Sequence, residues 1–401
     1  MTGLLEGVSV VETGVLMAVD HLGRLLGDEG ADVVKVEAPP IGDYLRNIMT
    51  RFAPDWSTFH LALNRNKRSL VCDARTVDGQ EVMHRLLARA DVFITGNVGH
   101  TNRKLGLDYE SVAAVRPEIV YCQITGFGAA GPYAEIPTHG QMMDALGGAA
   151  APMAPNAHGE VEPTGPGPAN SGGVVLGPLY AAFGVAAALV RARSTGVGCY
   201  LDVSCADAVL ASRWLDALAM FNPDLVDRSW AGKGPGASAK YQHYETADGR
   251  YVLFCAIEAK FWEHWCRAVG RDDLVAAHDT AVVVDFAGGE DALRAEIQSV
   301  FHTKTLREWV ELAAECDVAM GPALQLDEVM EDPHLAARGQ IVTEHHPRFG
   351  DVLTLGNPLV VPGVEFAPRS APALGEHTEE VLAELGYDAD ARAQLRQAGI
   401  T

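Results

Sequence analysis

TGFGAAGPYAEIPTHGQMMDALGGAAAPMAPNAHGEVEPTGPGPANSGGVVLGPLYAAFGVAAALVRARSTGVG, Thr125 to Gly198, is the stretch whose reading decides the fold. It follows a continuous apolar run from Ile119 to Ile124, the pattern of a strand buried on both faces. A glycine-rich turn leads to a loop that offers His139 and Asp144. Residues 150 to 173 are dense in Pro, Gly, Ala and Asn and read as a surface loop or lid. The stretch ends in a very apolar helix. Its longest apolar run, Val174 to Val190, is shorter than the ~20 residues of a bilayer span and carries Gly and Pro. A buried helix rich in small residues is expected.

Toward the N-terminus, apolar runs alternate with amphipathic segments. VSVVET (8–13), ADVVKVE (31–37), SLVCD (69–73) and DVFITGN (91–97) read as strands. Helices are predicted between them: one with Leu22, Leu25 and Leu26 at helical spacing, one over VDGQEVMHRLLARA, and one from Tyr109 to Val115. This alternation predicts a parallel sheet covered on both faces, a Rossmann-like α/β fold. The literal G-x-G-x-x-G at Gly126, Gly128 and Gly131 is no sign of NAD. That motif closes the first strand and opens a helix; here it follows a late strand, and Pro132 and Pro137 open a loop.

Toward the C-terminus, Asp202 and Asp207 in CYLDVSCADAVLA are read as starting a helix that closes the first lobe. A break follows from Phe221 to Ala239. Beyond it KYQHYETADGRYVLFCAI reads as a hairpin around Asp248 and Gly249, followed by the helices AKFWEHWCRAVG and REWVELAAECD. The expected organisation is a large Rossmann-like domain, residues 1–224 plus 326–401, with a smaller inserted α+β domain, residues 225–325. DEVMEDPHLAARGQIV begins the return to the first lobe.

Lys and Arg number 31 against 53 Asp and Glu, a formal charge of −22 that opposes binding to nucleic acid or an anionic membrane. An anionic ligand would need a local basic lining. The seven cysteines form no C-x-x-C pair and mostly sit in apolar runs, as reduced buried thiols do. The first residues, MTGLLEGVSVVETG, carry acids where a signal peptide needs a basic flank. A soluble, cytoplasmic protein without a metal is expected.

The strings GFGAAGPY, THG followed by ALGG, LYAAFGVAAALVRARSTGVG and CAIEAKFW, with NRNKRS, TADGRYV and DPHLAARG elsewhere, resemble family III CoA-transferases (the CaiB/BaiF family). This group includes the alpha-methylacyl-CoA racemases. The resemblance implies an interlocked homodimer and a CoA thioester ligand, with a carboxylic acid as second substrate in a transferase. It also implies a catalytic aspartate just before the long helix, where this chain has Gly173 and Val174. It assigns CoA contacts to Leu16, Met17 and Ala18; to Cys72, Asp73, Ala74 and Arg75; to Asn97 and Val98; and to Lys104, Thr125 and Gly126. Arg103 adds a further cation. Ala38 stands where many members have an arginine.

Three residues are candidates for the chemistry. His139 offers an imidazole, the side chain type best suited to proton abstraction beside a thioester carbonyl; racemases of the family carry their base histidine here in a G-H-D string, which is T-H-G in this chain. Asp144 reads either as a helix N-terminal acid or as a displaced carboxylate; Glu160 and Glu162 are alternatives. Glu258 matches a racemase string and sits in an apolar strand end, where an unpaired charge is costly. Three functions follow: a CoA-transferase with non-standard chemistry, a racemase-like isomerase, dehydratase or lyase using His139, or a non-catalytic CoA-binding homologue.

Overall fold

Along the first strand of the central sheet, consecutive valines serve opposite cores: Val10 packs in one apolar cluster and Val11 in the other. The same split divides Val33 from Val34, Ile94 from Phe93 and Cys122 from Tyr121. Side chains alternate across a strand, so a sheet covered on both faces needs apolar residues at every position. The structure, a computed structural model, describes residues 3–150, 153–163, 172–227, 238–276 and 283–401.

The sheet has six strands: β1 (Ser9–Thr13), β2 (Asp32–Glu37), β3 (Lys67–Val71), β4 (Val92–Thr95), β5 (Val120–Thr125) and β6 (Cys199–Ser204). All neighbours pair in parallel, in the spatial order β3-β2-β1-β4-β5-β6. This is the doubly wound order, and the winding reverses between β1 and β4. Helices α1 (Met17–Asp28) and α2 (Val77–Leu87) lie on opposite faces. Three more complete the site region after β5: α3 (Gly140–Leu146), α4 (Gly173–Thr195) and α5 (Cys205–Ser212).

Helix α4 is long and apolar enough, by length and composition, to cross a membrane. In the fold one stripe of it is core: Val174, Gly177, Ala181, Val185, Ala188 and Ala192 are buried at helical spacing. Small residues let it approach closely. A Cβ on Gly177 would fall 2.5 Å from the Cys205 Sγ. Pro178 has no N–H, so the Val174 carbonyl loses its helical donor. His21 on α1 supplies the bond instead, its Nδ1 lying 3.0 Å from that oxygen. Arg24 donates to His21 Nε2 at 3.2 Å, which leaves Nδ1 as the protonated nitrogen.

The helix start expected at Asp202 is corrected. Asp202 belongs to β6, which pairs with β5, and helix α5 begins only at Cys205, capped by the Ser204 hydroxyl. β6 is an edge strand whose exposure alternates, so its polar residues hid the strand pattern. Within the loop read over 150–173, residues 153–163 form a small hairpin, Met153–Pro155 with Val161–Pro163; 164–171 lie outside the described residues.

The chain divides into two units, Met1–Leu218 with Arg338–Thr401, and Ala219–Ala337. In the second, Tyr241–Glu245, Tyr251–Cys255 and Met320–Pro322 form an antiparallel sheet. Its core is aromatic, with Trp262, Trp265, Trp309, Phe254 and Phe301 fully buried. Gly249 takes φ +71° at the hairpin turn, a conformation that favours glycine. In the first unit the returning segment forms the hairpin Ile341–His346 and Gly350–Leu355; His346 stacks edge-on against Trp56 at 4.6 Å.

Candidate functional site

In doubly wound sheets ligands bind beyond the carboxyl ends of the strands, where the winding reverses. A cavity of about 220 Å³ lies there, lined by Thr13 and Gly14 at the end of β1, Glu37 and Ala38 at the end of β2, Cys72 to Arg75 after β3, and Asn97 after β4. It is smaller than a pocket for a whole drug-sized ligand, so it suits one part of a larger molecule. Gly14 has φ +141°, and a Cβ there would crowd the Gly96 backbone at 3.2 Å. The two strand ends can meet at the crevice only without a side chain.

Beneath the cavity lies a buried charge network that its sequence pattern concealed. Lys35, inside the strand run VVKVE, pairs with Asp20 and with Asp43 (2.9 Å), both buried. Lys67 pairs with Glu12 at 2.8 Å. Arg46 clamps Glu37 through Nε and Nη2 at 2.8 and 2.6 Å. Burial pushes the Asp20 carboxyl up to about 7 against the pull of Lys35. For Glu37 burial is outweighed by Arg46 and Lys35, which hold it down at about 2. For Asp43 burial is likewise outweighed, by Lys35 and by the Leu45 and Leu16 amides, so it stays below the usual carboxylate range.

Asp43 shapes the rim as well. It accepts the Leu16 amide at 3.1 Å, and Leu16 sits at φ 71°, ψ −170°, a region nearly reserved for glycine. Such a residue costs of order 1–3 kcal/mol and persists only where its surroundings hold it. Leu16 therefore serves through its backbone at the turn into α1.

The ligand positions assigned by resemblance separate into two sets. Cys72, Asp73, Ala74, Arg75 and Asn97 line the cavity. Leu16, Met17, Ala18, Val98, Arg103, Lys104, Thr125 and Gly126 are not among its lining residues. Arg103 is solvent-exposed, 3.8 Å from Glu135, and Lys104 is exposed beside it. Arg75 is exposed and already doubly bonded to Asp73, at 2.7 and 2.8 Å. Burial pushes the Cys72 thiol up to about 12, so it contributes shape and not a nucleophile. Sequence reasoning missed Thr13, Glu37 and Asp43; the available signal was their place at or just beyond the ends of the first two strands.

A second constellation stands at the ends of β5 and β6. The loop after β5 folds back until Thr138 covers Gly126, where a Cβ would fall 2.1 Å from the Thr138 hydroxyl. This brings His139 to the strand end as the residue capping α3. Its imidazole is exposed and makes no hydrogen bond among the described residues. Buried Asp144, on the same helix, accepts the Gly173 amide at 2.8 Å and the Gly172 amide at 3.2 Å. It is thus not an acid of its own helix's first turn. Its carboxylate caps the N-terminus of α4. The Thr125 hydroxyl, buried at the same strand end, has no partner among the described residues.

At Gly173 and Val174, the start of α4, the packing is closed. A Cβ on Gly173 would lie 2.6 Å from the Met143 Cβ, and Val174 is buried. Glu258 lies in the second unit, at the N-cap of the helix Ala259–Ala268, with no side-chain capping bond. It is partly exposed and not a buried charge, so the expected cost of burial does not arise.

Comparison with known proteins follows the same fold. The profile of CoA-transferase family III matches residues 5–378. Formyl-CoA:oxalate CoA-transferase of Shigella dysenteriae serotype 1 is 30% identical over 433 aligned positions, covering 99% of both chains; that of Shigella sonnei is 29% identical over the same span. A solved CAIB/BAIF family protein from Brucella suis superposes with TM-score 0.75 at 28% identity, covering 96% of this chain and 100% of its own. A Mycobacterium tuberculosis structure at 24% identity and TM-score 0.75, covering 94% of this chain and 99% of its own, shares the fold.

Proposed function

The chain belongs to CoA-transferase family III, and from that premise we propose that it holds a CoA thioester and moves a proton beside the thioester carbonyl through His139. The adenosine end occupies the cavity between β1, β2 and β4, and the thioester reaches the end of β5.

The observation that carries this reading is the occupied terminus of α4. Asp144 takes the amides of Gly172 and Gly173, and Met143 blocks a side chain at Gly173. His139 stands open at the same strand end. A neutral imidazole accepts a proton from carbon or oxygen near the carbonyl and returns it, with no change in net charge over the cycle. Asp144, on the helix that His139 caps, is the acid expected to partner it. His139→Ala should lose at least ~10²-fold in turnover, as for a general base, while CoA affinity survives. A fully active variant would overturn the reading.

A second reading rests on the Asp144 carboxylate seated at the start of α4. As a displaced nucleophile it would attack the thioester carbonyl, expel CoA thiolate and form an acyl-aspartyl anhydride. The thiolate would next attack the aspartyl carbonyl, releasing the first acid and leaving an aspartyl-CoA thioester. The incoming carboxylate would displace the thiolate to form a second anhydride, and thiolate attack on its acyl carbonyl would give the new acyl-CoA and free Asp144. Hydroxylamine trapping of an acyl group on Asp144 tests this reading.

We propose further that the working form is a homodimer. Trp214, Phe221 and Phe183 are each more than two-thirds exposed, as residues awaiting a partner surface are.

A further inference from the structure

The cavity at the ends of β1, β2 and β3 is electrostatically self-contained. Its charged lining residues are Glu37, Asp43, Asp73 and Arg75. Glu37 has both oxygens filled: Oε1 by Arg46 Nε and the Asp43 amide, Oε2 by Arg46 Nη2 and the Ser69 hydroxyl. Asp43 is filled by Lys35 and the amides of Leu16 and Leu45. Lys35 and Arg46 are buried and cannot turn toward a ligand. Among the described residues the lining cation is Arg75, bound to Asp73 through two hydrogen bonds.

Position matters as much as charge. In doubly wound sheets the end of the second strand meets the ribose: an acid there accompanies free hydroxyls, and an arginine nearby accommodates a ribose phosphate. Here Glu37 ends β2 and exposed Ala38 follows on the cavity wall. A phosphate on the ribose would meet three carboxylates and would have to take Arg75 from Asp73, leaving that acid unpaired beside it. The volume, about 220 Å³, holds only part of a large ligand.

Resting on the CoA reading above, we infer that this cavity recognises the uncharged part of the adenosine moiety and gains little from the 3′-phosphate. CoA and 3′-dephospho-CoA therefore bind with similar affinity. The neutral base and sugar supply apolar contact with Val36, Met83, Leu105 and Leu107, which share the wall. Discrimination between the two ligands would require an unengaged cation at this edge.

Titration calorimetry of the full chain with CoA and with 3′-dephospho-CoA, at one ionic strength, tests this. The expected affinity ratio is below about tenfold, the effect of one charge-assisted phosphate contact. A preference for CoA of tenfold or more overturns the inference and leaves the CoA reading standing. Failure of both ligands to bind overturns the CoA reading and this inference with it. The variant Ala38→Arg should gain about tenfold for CoA and nothing for 3′-dephospho-CoA. Equal affinities in that variant would contradict the placement of the ribose at the end of β2.

Discussion

The Asp144 carboxylate accepts the Gly173 amide at 2.8 Å, joining two helices whose residues lie 29 apart in sequence. A helix N-terminus has amides without internal acceptors, and this acid satisfies two of them. Asp144→Ala should cost about 0.5–2 kcal/mol, the usual loss of a cap, with Asp144→Asn milder because one acceptor remains. Chemical denaturation of the three proteins checks the order. An alanine variant as stable as the parent would mean that the carboxylate is not a structural cap.

An aspartate introduced at Gly173, one of the two positions that the resemblance marks, should not be accommodated. Its Cβ would stand 2.6 Å from the Met143 Cβ, well inside contact distance. Gly173→Asp is expected to lose about 1–3 kcal/mol through overpacking and to gain no transferase activity. Acyl transfer appearing in this variant would show that the terminus of α4 can reopen.

His21 and Pro178 form a coupled pair through the Val174 carbonyl. His21→Ala should leave that oxygen without its donor, at about 1–3 kcal/mol. In a Pro178→Ala background the new amide can serve the carbonyl, so the same substitution should cost less. A double-mutant cycle measures the difference; equal costs in both backgrounds would contradict the coupling.

The fold was legible where burial writes a continuous pattern. β1, β2 and β4 appear as apolar runs because both faces of the sheet are covered, and Tyr109–Val115 is helical as expected. The edge strand β6 was not legible, since its alternate residues meet solvent. Nor was the charge network. Lys35 looks like a surface residue in VVKVE, yet it is buried because Asp20 and Asp43 come to it from other segments. Asp144 shows the same limit at the site: its partner amides lie 28 and 29 residues away, beyond any local signal. Arg75 and Asn97 were found through motif strings and do line the cavity; Lys104, found the same way, is not among its lining residues.

Asp20 sets a pH dependence of definite sign. Its folded value of about 7 lies above the ordinary 3.8, so the native state holds more protons than the unfolded chain between them. Its contribution to stability is complete below pH 3.8 and is lost as pH rises through about 7. Asp20→Asn removes this titration. The variant's stability relative to the parent should therefore rise across that window, measured by denaturation at several pH values. A flat difference would place the proton elsewhere.

The exposed apolar side chains Trp214, Phe221 and Phe183 lead to a prediction of assembly. Light scattering should give twice the chain mass at all working concentrations. A folded monomer that persists on concentration would contradict the dimer.

The most direct test of the central claim is deuterium uptake at the alpha carbon of an acyl-CoA in deuterium oxide. Wild type should exchange that proton, and His139→Ala should do so at least ~10²-fold more slowly, with no acyl adduct on Asp144. Absence of exchange, together with transfer of labelled CoA to a free acid and a hydroxylamine-sensitive adduct on Asp144, would contradict proton chemistry at His139.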